Sequence, residues 1–301
     1  MMRKLNLLAA ALVAGFTLPA GAAEITQSGF SPLYIGVDFE TATIPTNPDA
    51  SGKPTTSRAY IARIDLKAPG ISFVTTPQSG TLNTTSETTT TFAANQKVRL
   101  AINANFFAPC CDAFAEPKTV IGLLVSKGKV VAPASTDPLN SEAVLAITRN
   151  NKAVIAESPQ LNLATVYTAV AGSAIIVQNG QDVSASSPNE GDPLNPNPRT
   201  VVGLSEDSRY LYLAVIDGRV TGYSLGTTNA QSAALMLAVG SFSALNLDGG
   251  GSTEMVRADV LGKPYIVNNP SGGAERFDAA ALGVYALPLP RFGVFDEDSN
   301  N

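Results

Sequence analysis

Histidine and tryptophan are absent from the sequence, and cysteine occurs only twice. The lack of histidine removes the most common general base and the most common zinc ligand, so any catalysis must use carboxylates, Arg, Lys, Tyr or hydroxyl groups. Because tryptophan is missing, an aromatic ring that stacks on a sugar must be Tyr or Phe. Together these absences exclude histidine-dependent catalysis and metal sites built from Cys and His.

Basic residues are also few: 20 Lys and Arg stand against 25 Asp and Glu, which gives a formal net charge of -5. No basic cluster occurs beyond the N-terminus, so we expect no nucleic-acid partner, whose phosphates require such a cluster. The 301 residues are 45% hydrophobic, and this content is sufficient for a substantial core.

The one long apolar run lies at the N-terminus, where Arg3 and Lys4 precede residues 5–18 and small residues follow at 20–23. This order is typical of a signal peptide, and we predict that residues 1–23 are removed on export to the periplasm or the medium. A membrane anchor is the less favoured alternative, because the run is shorter than the ~20 apolar residues that span a bilayer. We therefore expect an exported protein without stable membrane insertion.

No internal repeat or linker divides the remainder, so we predict one domain over residues 24–292 and an acidic, disordered tail over residues 293–301. Alternation of apolar and polar residues predicts many strands. The predicted strands are 33–39, 60–66, 71–75, 98–102, 120–125, 143–148, 174–177, 200–204, 211–216, 242–247, 255–258, 264–267 and 279–287. Thr88 and Thr228 can each cap a helix, and the second helix is apolar on all sides. The predicted fold is α+β, a single β-rich domain whose mixed sheet packs on a buried helix near 229–239.

Cys110 and Cys111 are adjacent. In an oxidising compartment they can form a vicinal disulfide, which closes no chain loop and so acts only locally. Free thiols and bonds to another chain are the alternatives, and the sequence leaves the choice open.

Several common functional motifs are missing. The sequence contains no G-x-x-x-x-G-K-[ST] phosphate loop, no G-x-S-x-G nucleophile elbow and no G-x-G-x-x-G after a strand. Calcium is the metal that remains open, because Asp192, Asn195 and Asn197 lie in a polar loop at 184–198, although without EF-hand spacing. A solvated loop is the simpler interpretation, and we expect neither a metal nor a cofactor.

The most informative segment is Asn-Leu-Asp-Gly-Gly-Gly-Ser-Thr, from Asn246 to Thr253. Three consecutive glycines give up side-chain packing and cost backbone entropy, so a purely structural sequence rarely has them directly after a buried strand. A tight turn between strands is the alternative. Because Asp248 and Ser252 flank the glycines, we favour a ligand site that includes the Asp248 carboxylate.

Two further charged residues adjoin apolar strands. Asp217 follows the predicted strand 211–216, as Asp248 follows 242–247. A single helix joins these strands, so we expect neighbouring strands with both carboxylates in one cleft. Arg199 precedes another apolar strand and can hold an anion there. A plain Asp-Gly turn at Asp217 and a surface cation at Arg199 are the alternatives.

Six segments, in their order and spacing, carry a resemblance to a known family. They are Ala101 to Phe107, Gly122 to Gly128, Arg199 to Gly203, Asp217 to Arg219, Asn246 to Thr253 and Val267 to Arg276. Between about residues 60 and 287 the chain resembles the phosphodiester glycosidase family. In that comparison Asn105 stands where the family has a glycine, and Glu254 stands where it has a small or neutral residue.

The resemblance implies cleavage at an anomeric carbon whose leaving group is a phosphate ester. Since a phosphate already leaves as a stable anion, stabilising its charge matters more than donating a proton to it. We hypothesise that Arg199 and the backbone N–H groups of the three glycines receive the phosphate. Asp248 or Asp217 then attacks the sugar or activates water. The candidate substrate-binding residues are Asn103, Asn105, Asn246, Gly249, Gly250, Gly251, Ser252, Thr253, Ser271 and Arg276.

The rival hypothesis is a non-catalytic protein that binds glycans or assists in cell-envelope or exopolysaccharide assembly. Glu254 favours it, because an additional negative charge beside the glycines would repel a phosphodiester. Both hypotheses name a sugar-phosphate or a glycan as the partner, and neither determines the oligomeric state.

Overall fold

The computed structural model describes residues 24–47, 53, 55–134, 142–186 and 195–290. The predicted signal peptide, the predicted acidic tail and Asp192 with the middle of its loop lie outside these residues. Within the described ranges, no helix has both the length and the apolar character needed to cross a membrane.

Two α-helices and 22 β-strands form the described part of the chain. The helices are α1 (Thr89–Gln96) and α2 (Asn229–Ala238). The strands are β1 (Thr26–Gln27), β2 (Ser31–Tyr34), β3 (Val37–Thr46), β4 (Thr55–Asp65), β5 (Ser72–Thr75), β6 (Thr84–Thr85), β7 (Leu100–Asn103), β8 (Phe107–Ala108), β9 (Pro117–Val120), β10 (Leu124–Ser126), β11 (Lys129–Ala132), β12 (Ala143–Thr148), β13 (Ala153–Glu157), β14 (Val166–Gly172), β15 (Ala174–Gln178), β16 (Gln181–Asp182), β17 (Arg199–Leu204), β18 (Tyr210–Ile216), β19 (Ser243–Asn246), β20 (Met255–Ala258), β21 (Pro264–Ile266) and β22 (Ala281–Tyr285). The predicted β-rich character is confirmed.

The strands assemble into four sheets. The largest has the order β1-β3-β4-β18-β17-β19-β15-β16, with β2 also paired to β3. Two five-stranded sheets have the orders β11-β10-β14-β12-β13 and β21-β20-β7-β22-β5, and β6-β9-β8 form a small fourth sheet. Every strand pair found within the described residues is antiparallel. The predicted mixed sheet is therefore wrong.

The strand order explains this error. β18 and β19, which α2 connects, run in the same direction but are not neighbours, because β17 lies between them and pairs antiparallel with both. β17 and β18 first form a hairpin, and α2 then carries the chain across to the free edge of β17. The N-terminal end of β17 consequently lies beside the C-terminal ends of both neighbours.

The large sheet is buried on both faces. Val202 on β17 belongs to a central core that also contains residues of β4, β7, β12, β19 and β22. Its neighbour Val201 points to the opposite face and packs in a second cluster with Leu235 and Met236 of α2. Successive side chains of a strand alternate between faces, so both faces of β17 must be apolar. The central core thus links strands of the three larger sheets.

The two predicted helices are confirmed, with one correction. Thr228 caps α2 by accepting a hydrogen bond from the Gln231 N–H, and Gly240 follows the helix with a φ of 99°. This helix was predicted to be apolar on all sides and buried against a sheet. It packs on the large sheet through Leu235 and Met236, while its outer face exposes a stripe of small residues, namely Ala230, Ala234 and Ala238. Alanine is the best helix former and leaves little apolar side chain in water, so the pattern fits a helix that covers a sheet.

Most predicted strands are found within one or two residues of their expected ends, but two are divided. The strand predicted at 33–39 turns at Gly36, whose φ is 77°, and becomes the hairpin of β2 and β3. The strand predicted at 120–125 is interrupted at Gly122, whose φ is 78°. In both cases a left-handed backbone conformation, which glycine adopts without steric cost, breaks an otherwise continuous apolar run.

Candidate active site

A pocket of about 330 Å³ lies where the N-terminal end of β17 meets the segment that follows β19. Its lining residues are Phe106, Ser173, Asn197, Pro198, Arg199, Arg219, Asn246, Leu247, Asp248, Gly249, Gly250, Gly251 and Arg276. The glycine segment, Arg199 and Arg276 were expected at one site, and the structure brings them together.

The side chain of Asp248 is held in a defined orientation. Its Oδ1 accepts a hydrogen bond from the Gly249 N–H at 2.8 Å, and its Oδ2 accepts one from Ser252 Oγ at 2.8 Å. Burial raises the pKa of Asp248 from 3.8 to about 6, although these hydrogen bonds and the charge of Arg276 oppose the shift. Asp248 is therefore a carboxylate at neutral pH with more proton affinity than an ordinary aspartate, which suits a general base.

Each of the three glycines has its own reason to lack a side chain. A Cβ on Gly249 would lie 2.6 Å from the carbonyl oxygen of Pro198. Gly250 has a φ of 64°, a conformation that L side chains rarely adopt. A Cβ on Gly251 would overlap the guanidinium of Arg276. The tight-turn alternative explains Gly250, but the close approach of Pro198 and Arg276 explains the other two.

Arg199 and Arg219 line one side of the pocket. Arg199 is buried, and its Nε donates to the carbonyl of Thr227 at 3.1 Å. Arg219 is exposed, and its Nε and Nη2 donate to Asn197 Oδ1 at 3.3 and 3.0 Å. Backbone and side-chain acceptors thus fix the direction of both guanidinium groups towards the pocket.

Arg276 also lines the pocket and lies in the segment between β21 and β22. Its Nη1 donates to Ser252 Oγ at 3.3 Å, and its charge lowers the pKa of Asp248. Among the described residues that line the pocket there are three arginines and a single carboxylate, Asp248. This excess of positive charge suits an anionic ligand.

Asn103 connects two sheets behind the pocket and is completely buried. Its Nδ2 donates to the Asp248 carbonyl at 2.7 Å, and its Oδ1 accepts from Thr200 Oγ1 at 2.6 Å and from the Glu254 N–H at 3.2 Å. Asn103 therefore fixes the backbone on either side of the glycines. It does not line the pocket, contrary to its predicted contact with substrate.

Three other predicted residues, Asn105, Thr253 and Ser271, are not among the residues that line the pocket. Asn105 is buried and donates to the carbonyls of Ile121 and Leu123, both at 3.1 Å, so it supports the interrupted strand rather than the pocket. Thr253 is buried, and Ser271 Oγ makes a long 3.5 Å contact with the Gly250 carbonyl. Of the three asparagines predicted to bind substrate, Asn246 alone lines the pocket, and Asn197, considered above for calcium, lines it as well.

The glycine N–H groups are partly engaged within the protein. Gly249 donates to the carboxylate of Asp248, and Gly250 donates to the Pro198 carbonyl at 2.9 Å. The predicted phosphate cradle of three free N–H groups is therefore not present in this conformation. The guanidinium groups are therefore better placed than the glycine N–H groups to donate hydrogen bonds to a bound anion.

Asp217 does not line the pocket, and the expected pairing with Asp248 in one cleft is not found. Its Oδ1 accepts from Asn268 Nδ2 at 2.9 Å and from the Asn269 N–H at 3.0 Å, and its Oδ2 accepts from Tyr223 Oη at 2.8 Å. Burial raises its pKa, against these hydrogen bonds. Asp217 thus anchors the segment that leads to Arg276.

A group of buried carboxyls lies behind Asp248, and the sequence did not point to it as a group. Burial and the neighbouring Glu275 raise the pKa of Glu254 to about 10, so Glu254 is neutral at pH 7. Burial and the charge of Asp248 raise the pKa of Asp278 well above its usual value. Since Glu254 is uncharged and absent from the lining residues, it does not repel an anion in the pocket.

Arg219 and Phe106 line the pocket but were not predicted as individual site residues, and the buried Asp278 near Asp248 was not predicted either. Arg219 was available within the motif Asp217 to Arg219, where it follows a strand end as the other site residues do. The signal for Asp278 is weaker: a carboxyl directly precedes the apolar strand 279–287 that closes the fold. Its relation to the site is the electrostatic interaction with Asp248, which lies far from it in the sequence, so local patterns do not contain it.

The two cysteines form a vicinal disulfide in the structure, and both are exposed. The next residue, Asp112, forms an ion pair with the completely buried Lys118 of β9. Neither cysteine lines the pocket.

No metal site is found in the part of the chain that the structure describes. These residues contain no group of three or more Cys, Asp or Glu side chains arranged to hold an ion.

Comparison with known proteins supports a glycosidase fold. The profile of the family described as phosphodiester glycosidase matches residues 96–285. No curated protein matches the chain. Among solved structures, the catalytic domain of zebrafish N-acetylglucosamine-1-phosphodiester alpha-N-acetylglucosaminidase, auto-inhibited by its pro-peptide, is similar with a TM-score of 0.64 and 18% identity over 88% of this chain and 89% of that chain.

Two bacterial structures share the fold. A candidate exported protein from Burkholderia pseudomallei has a TM-score of 0.61 and 16% identity, over 91% of this chain and 99% of that one. A hypothetical protein from Synechocystis has a TM-score of 0.57 and 15% identity, over 83% of this chain and 62% of that one. At these identities the structural matches establish a common fold, while the family profile spans every segment that lines the pocket.

Proposed function

The chain belongs to the phosphodiester glycosidase family, and we propose that it hydrolyses the bond between the anomeric carbon of a sugar and a phosphodiester. The observation that carries this proposal is the convergence of the Asp248 carboxylate with three guanidinium groups on one pocket. A sugar-1-phosphodiester has one negative charge on the phosphate, next to the anomeric carbon that water must attack. The guanidinium groups of the pocket can bind the charged phosphate, and the Asp248 carboxylate can activate the water.

In this proposal Asp248 is the general base. Above its pKa of about 6 the side chain is ionised and accepts a proton from the attacking water. The water oxygen forms a bond to the anomeric carbon, the bond from that carbon to the phosphate oxygen breaks, and its electron pair remains on the phosphate. The products are a free sugar and a phosphate monoester.

A single carboxylate in the pocket is sufficient for this reaction. Ordinary glycosidases need a second carboxyl to protonate a poor leaving group, whereas a phosphate departs as a stable anion. Direct attack by water, without a covalent intermediate, inverts the configuration at the anomeric carbon. We therefore propose an inverting reaction that depends on Asp248 alone among the pocket carboxylates.

The guanidinium groups of Arg199, Arg219 and Arg276 receive the phosphate in this proposal, in place of the glycine N–H groups. Arginine forms paired hydrogen bonds to phosphate oxygens and keeps its charge at every relevant pH. The ring of Phe106, which lines the pocket, offers an apolar surface for the sugar. Asn246 offers a polar side chain at the same wall.

The rival hypothesis of a non-catalytic glycan-binding or exopolysaccharide-assembly protein loses its main support. It depended on a negative charge at Glu254, and that carboxyl is buried with a pKa of about 10.

We also propose that the protein is exported by a signal peptide at residues 1–23. The resemblance of its fold to a candidate exported protein from Burkholderia pseudomallei supports this location.

Two substitutions test the assignment of roles. Asp248→Asn should lower kcat on a sugar-1-phosphodiester by about 100- to 10,000-fold, the usual effect of losing a general base. Asp217→Asn should retain activity within about tenfold, because an amide oxygen still accepts one of the hydrogen bonds that anchor the 268–269 segment. Both variants should keep the wild-type melting temperature within a few degrees. Equal losses in the two variants, or full activity of Asp248→Asn, would contradict the proposal.

A further inference from the structure

Arg219 begins a short hairpin, residues 219–225, in the segment between β18 and α2. Its N–H donates to the Leu225 carbonyl at 3.2 Å, and the backbones of Val220 and Ser224 exchange hydrogen bonds of 3.0 and 2.9 Å. The backbone of Arg219 has a φ of 61°, in the left-handed region that residues other than glycine rarely adopt. Contacts made by the rest of the hairpin must therefore offset the steric cost of this conformation.

The guanidinium of Arg219 packs against the glycine segment. A Cβ on Gly250 would lie 3.1 Å from Arg219 Nη1 and 3.4 Å from Arg219 Cζ. The guanidinium of Arg276 leaves no room for a Cβ on the next residue, Gly251. The two cations thus lie beside adjacent residues of one segment, and their separation depends on where the backbone of each is held.

Tyr223, near the end of the hairpin, is hydrogen-bonded to a buried carboxylate. Its Oη donates to Asp217 Oδ2 at 2.8 Å and lies 3.1 Å from Tyr60 Oη, while the guanidinium of Arg58 covers its ring at 4.7 Å. A phenol has one proton to donate, so Tyr223 donates to Asp217 and accepts from Tyr60. Burial and these hydrogen bonds raise the pKa of Tyr223, which therefore keeps its proton.

The other oxygen of Asp217 holds the segment that carries Arg276. Asp217 Oδ1 accepts from Asn268 Nδ2 at 2.9 Å and from the Asn269 N–H at 3.0 Å. Asn268 Nδ2 also donates to the Thr253 carbonyl at 3.1 Å. This one carboxylate therefore links the hairpin, the end of the glycine segment and the segment that leads to Arg276.

We propose that Tyr223 is a positioning residue for phosphate recognition, whose hydrogen bond to Asp217 holds the hairpin so that the guanidinium of Arg219 reaches the phosphate together with that of Arg276. This inference rests on the proposed function, in which these guanidinium groups receive the phosphate. Tyr223 is not among the residues that line the pocket. It acts through Arg219, which can relax from its left-handed conformation and turn away from Gly250 when the hydrogen bond is lost.

Removal of a single hydroxyl tests this role. Tyr223→Phe keeps the ring beside Arg58 but loses the donor to Asp217, so KM for a sugar-1-phosphodiester should rise about 3- to 10-fold while kcat stays within about twofold of the wild type. Tyr60→Phe is the matched control, because it removes the neighbouring hydroxyl and leaves the hydrogen bond from Tyr223 to Asp217. Its KM should equal that of the wild type. Equal KM values for the two variants would overturn the proposal.

A double-mutant cycle separates this role from a general effect on the fold. If Tyr223 acts through Arg219, the addition of Tyr223→Phe to Arg219→Ala should change kcat/KM by less than about twofold, because the group that it positions is already gone. If the hydroxyl only stabilises the fold, the two losses of kcat/KM should multiply. Multiplied losses would overturn the proposal.

Binding of inorganic phosphate, measured by isothermal titration calorimetry, provides a test that does not depend on turnover. The dissociation constant of Tyr223→Phe should be about 3- to 10-fold higher than that of the wild type, and Tyr60→Phe should match the wild type. Equal dissociation constants in the three proteins, or no binding to the wild type, would overturn the proposal. Conversely, weaker phosphate binding by Tyr223→Phe together with an inactive wild type would contradict the proposed function while leaving the role of Tyr223 established.

Discussion

The proposed chemistry depends on Asp248 and on the three arginines that line the pocket with it. Among them, Arg219 is the residue whose role can be tested with least disturbance of the fold, because it is exposed and its Nε and Nη2 donate to the side chain of Asn197. Arg199 and Arg276 are more enclosed, so their removal would combine a loss of charge with a loss of packing.

Removal of the Arg219 side chain should weaken phosphate recognition. We expect Arg219→Ala to lower kcat/KM on a sugar-1-phosphodiester by about 10- to 100-fold, the value of one hydrogen bond to a charged group. Arg149→Ala is the matched control, because Arg149 is also exposed but lies over the ring of Tyr167, 4.4 Å away, in a different sheet. Steady-state kinetics should give wild-type kcat/KM for the control. Indistinguishable values for the two variants would remove Arg219 from the phosphate site.

Glu254 should make the protein less stable as the pH rises. Its folded pKa of about 10 lies above the unfolded value of 4.5, so the folded state holds a proton that the unfolded state loses. The associated stability is complete below pH ~4.5 and is lost progressively as the pH rises towards the folded pKa. Glu254→Gln has no such proton, so its melting temperature relative to the wild type should increase from pH 5 to pH 9, as scanning fluorimetry can measure.

Asp65 provides a control of opposite sign. Its hydrogen bond with Arg209 lowers its pKa, so its contribution is present at neutral pH and is lost as the pH falls through the folded pKa. Asp65→Asn should therefore be slightly less stable than the wild type at pH 7, and the difference should shrink in acid. If the melting temperature of Glu254→Gln relative to the wild type had the same pH dependence as that of Asp65→Asn, the assignment of a neutral carboxyl to Glu254 would be contradicted.

At the scale of elements, the segment after β19 depends on close contact with its neighbours. Gly249→Ala should destabilise the protein by about 1–3 kcal/mol, the usual cost of forcing an extra carbon into a packed site. The backbone at Gly249 has a φ of -127°, which any residue adopts, so the cause would be the contact with the Pro198 carbonyl. Activity should fall as well, because the same displacement moves Asp248.

Gly272→Ala is the control for that substitution. A Cβ at Gly272 would meet only the Ala274 carbonyl oxygen, at 3.9 Å, so both the melting temperature and kcat should stay at wild-type values. If Gly249→Ala were as stable and active as Gly272→Ala, the close packing of the glycine segment would not be required for function.

Local elements could be predicted from the sequence because their causes are local. Thr88 and Thr228 cap the two helices as expected, since an N-cap needs only a hydroxyl and the N–H groups of the next turn. Asn179 and Gly180 form a hairpin turn with φ values of 53° and 70°, as their residue types predict. The interruptions at Gly36 and Gly122 were missed because an apolar run gives no sign of a turn that only one glycine makes.

At the scale of the whole molecule, the relations between strands decide which residues meet. From the sequence, β18 and β19 were predicted to be neighbours, which would have paired Asp217 with Asp248. Because β17 lies between them, Arg199 occupies the position beside Asp248 instead. No local pattern contains this information, since the order of strands depends on how three sheets share one core.

Contacts across sheets also give several predicted site residues a structural role. Asn103 on β7 joins the backbone at Asp248 to Thr200 on β17, and Asp217 joins the end of β18 to the segment before Arg276. Both residues were predicted to act on the substrate, because a motif does not distinguish a polar side chain that binds substrate from one that is buried and hydrogen-bonded within the protein. In the structure their hydrogen bonds connect the segments that surround the pocket.

In the proposed reaction the protein breaks the bond between the anomeric carbon and oxygen, and not a bond to phosphorus. Hydrolysis of a sugar-1-phosphodiester in water enriched in oxygen-18, followed by mass spectrometry of both products, tests it most directly. Attack by water activated at Asp248 predicts that the label enters the sugar and that the phosphate monoester contains none. Label in the phosphate would identify a phosphodiesterase and contradict the account.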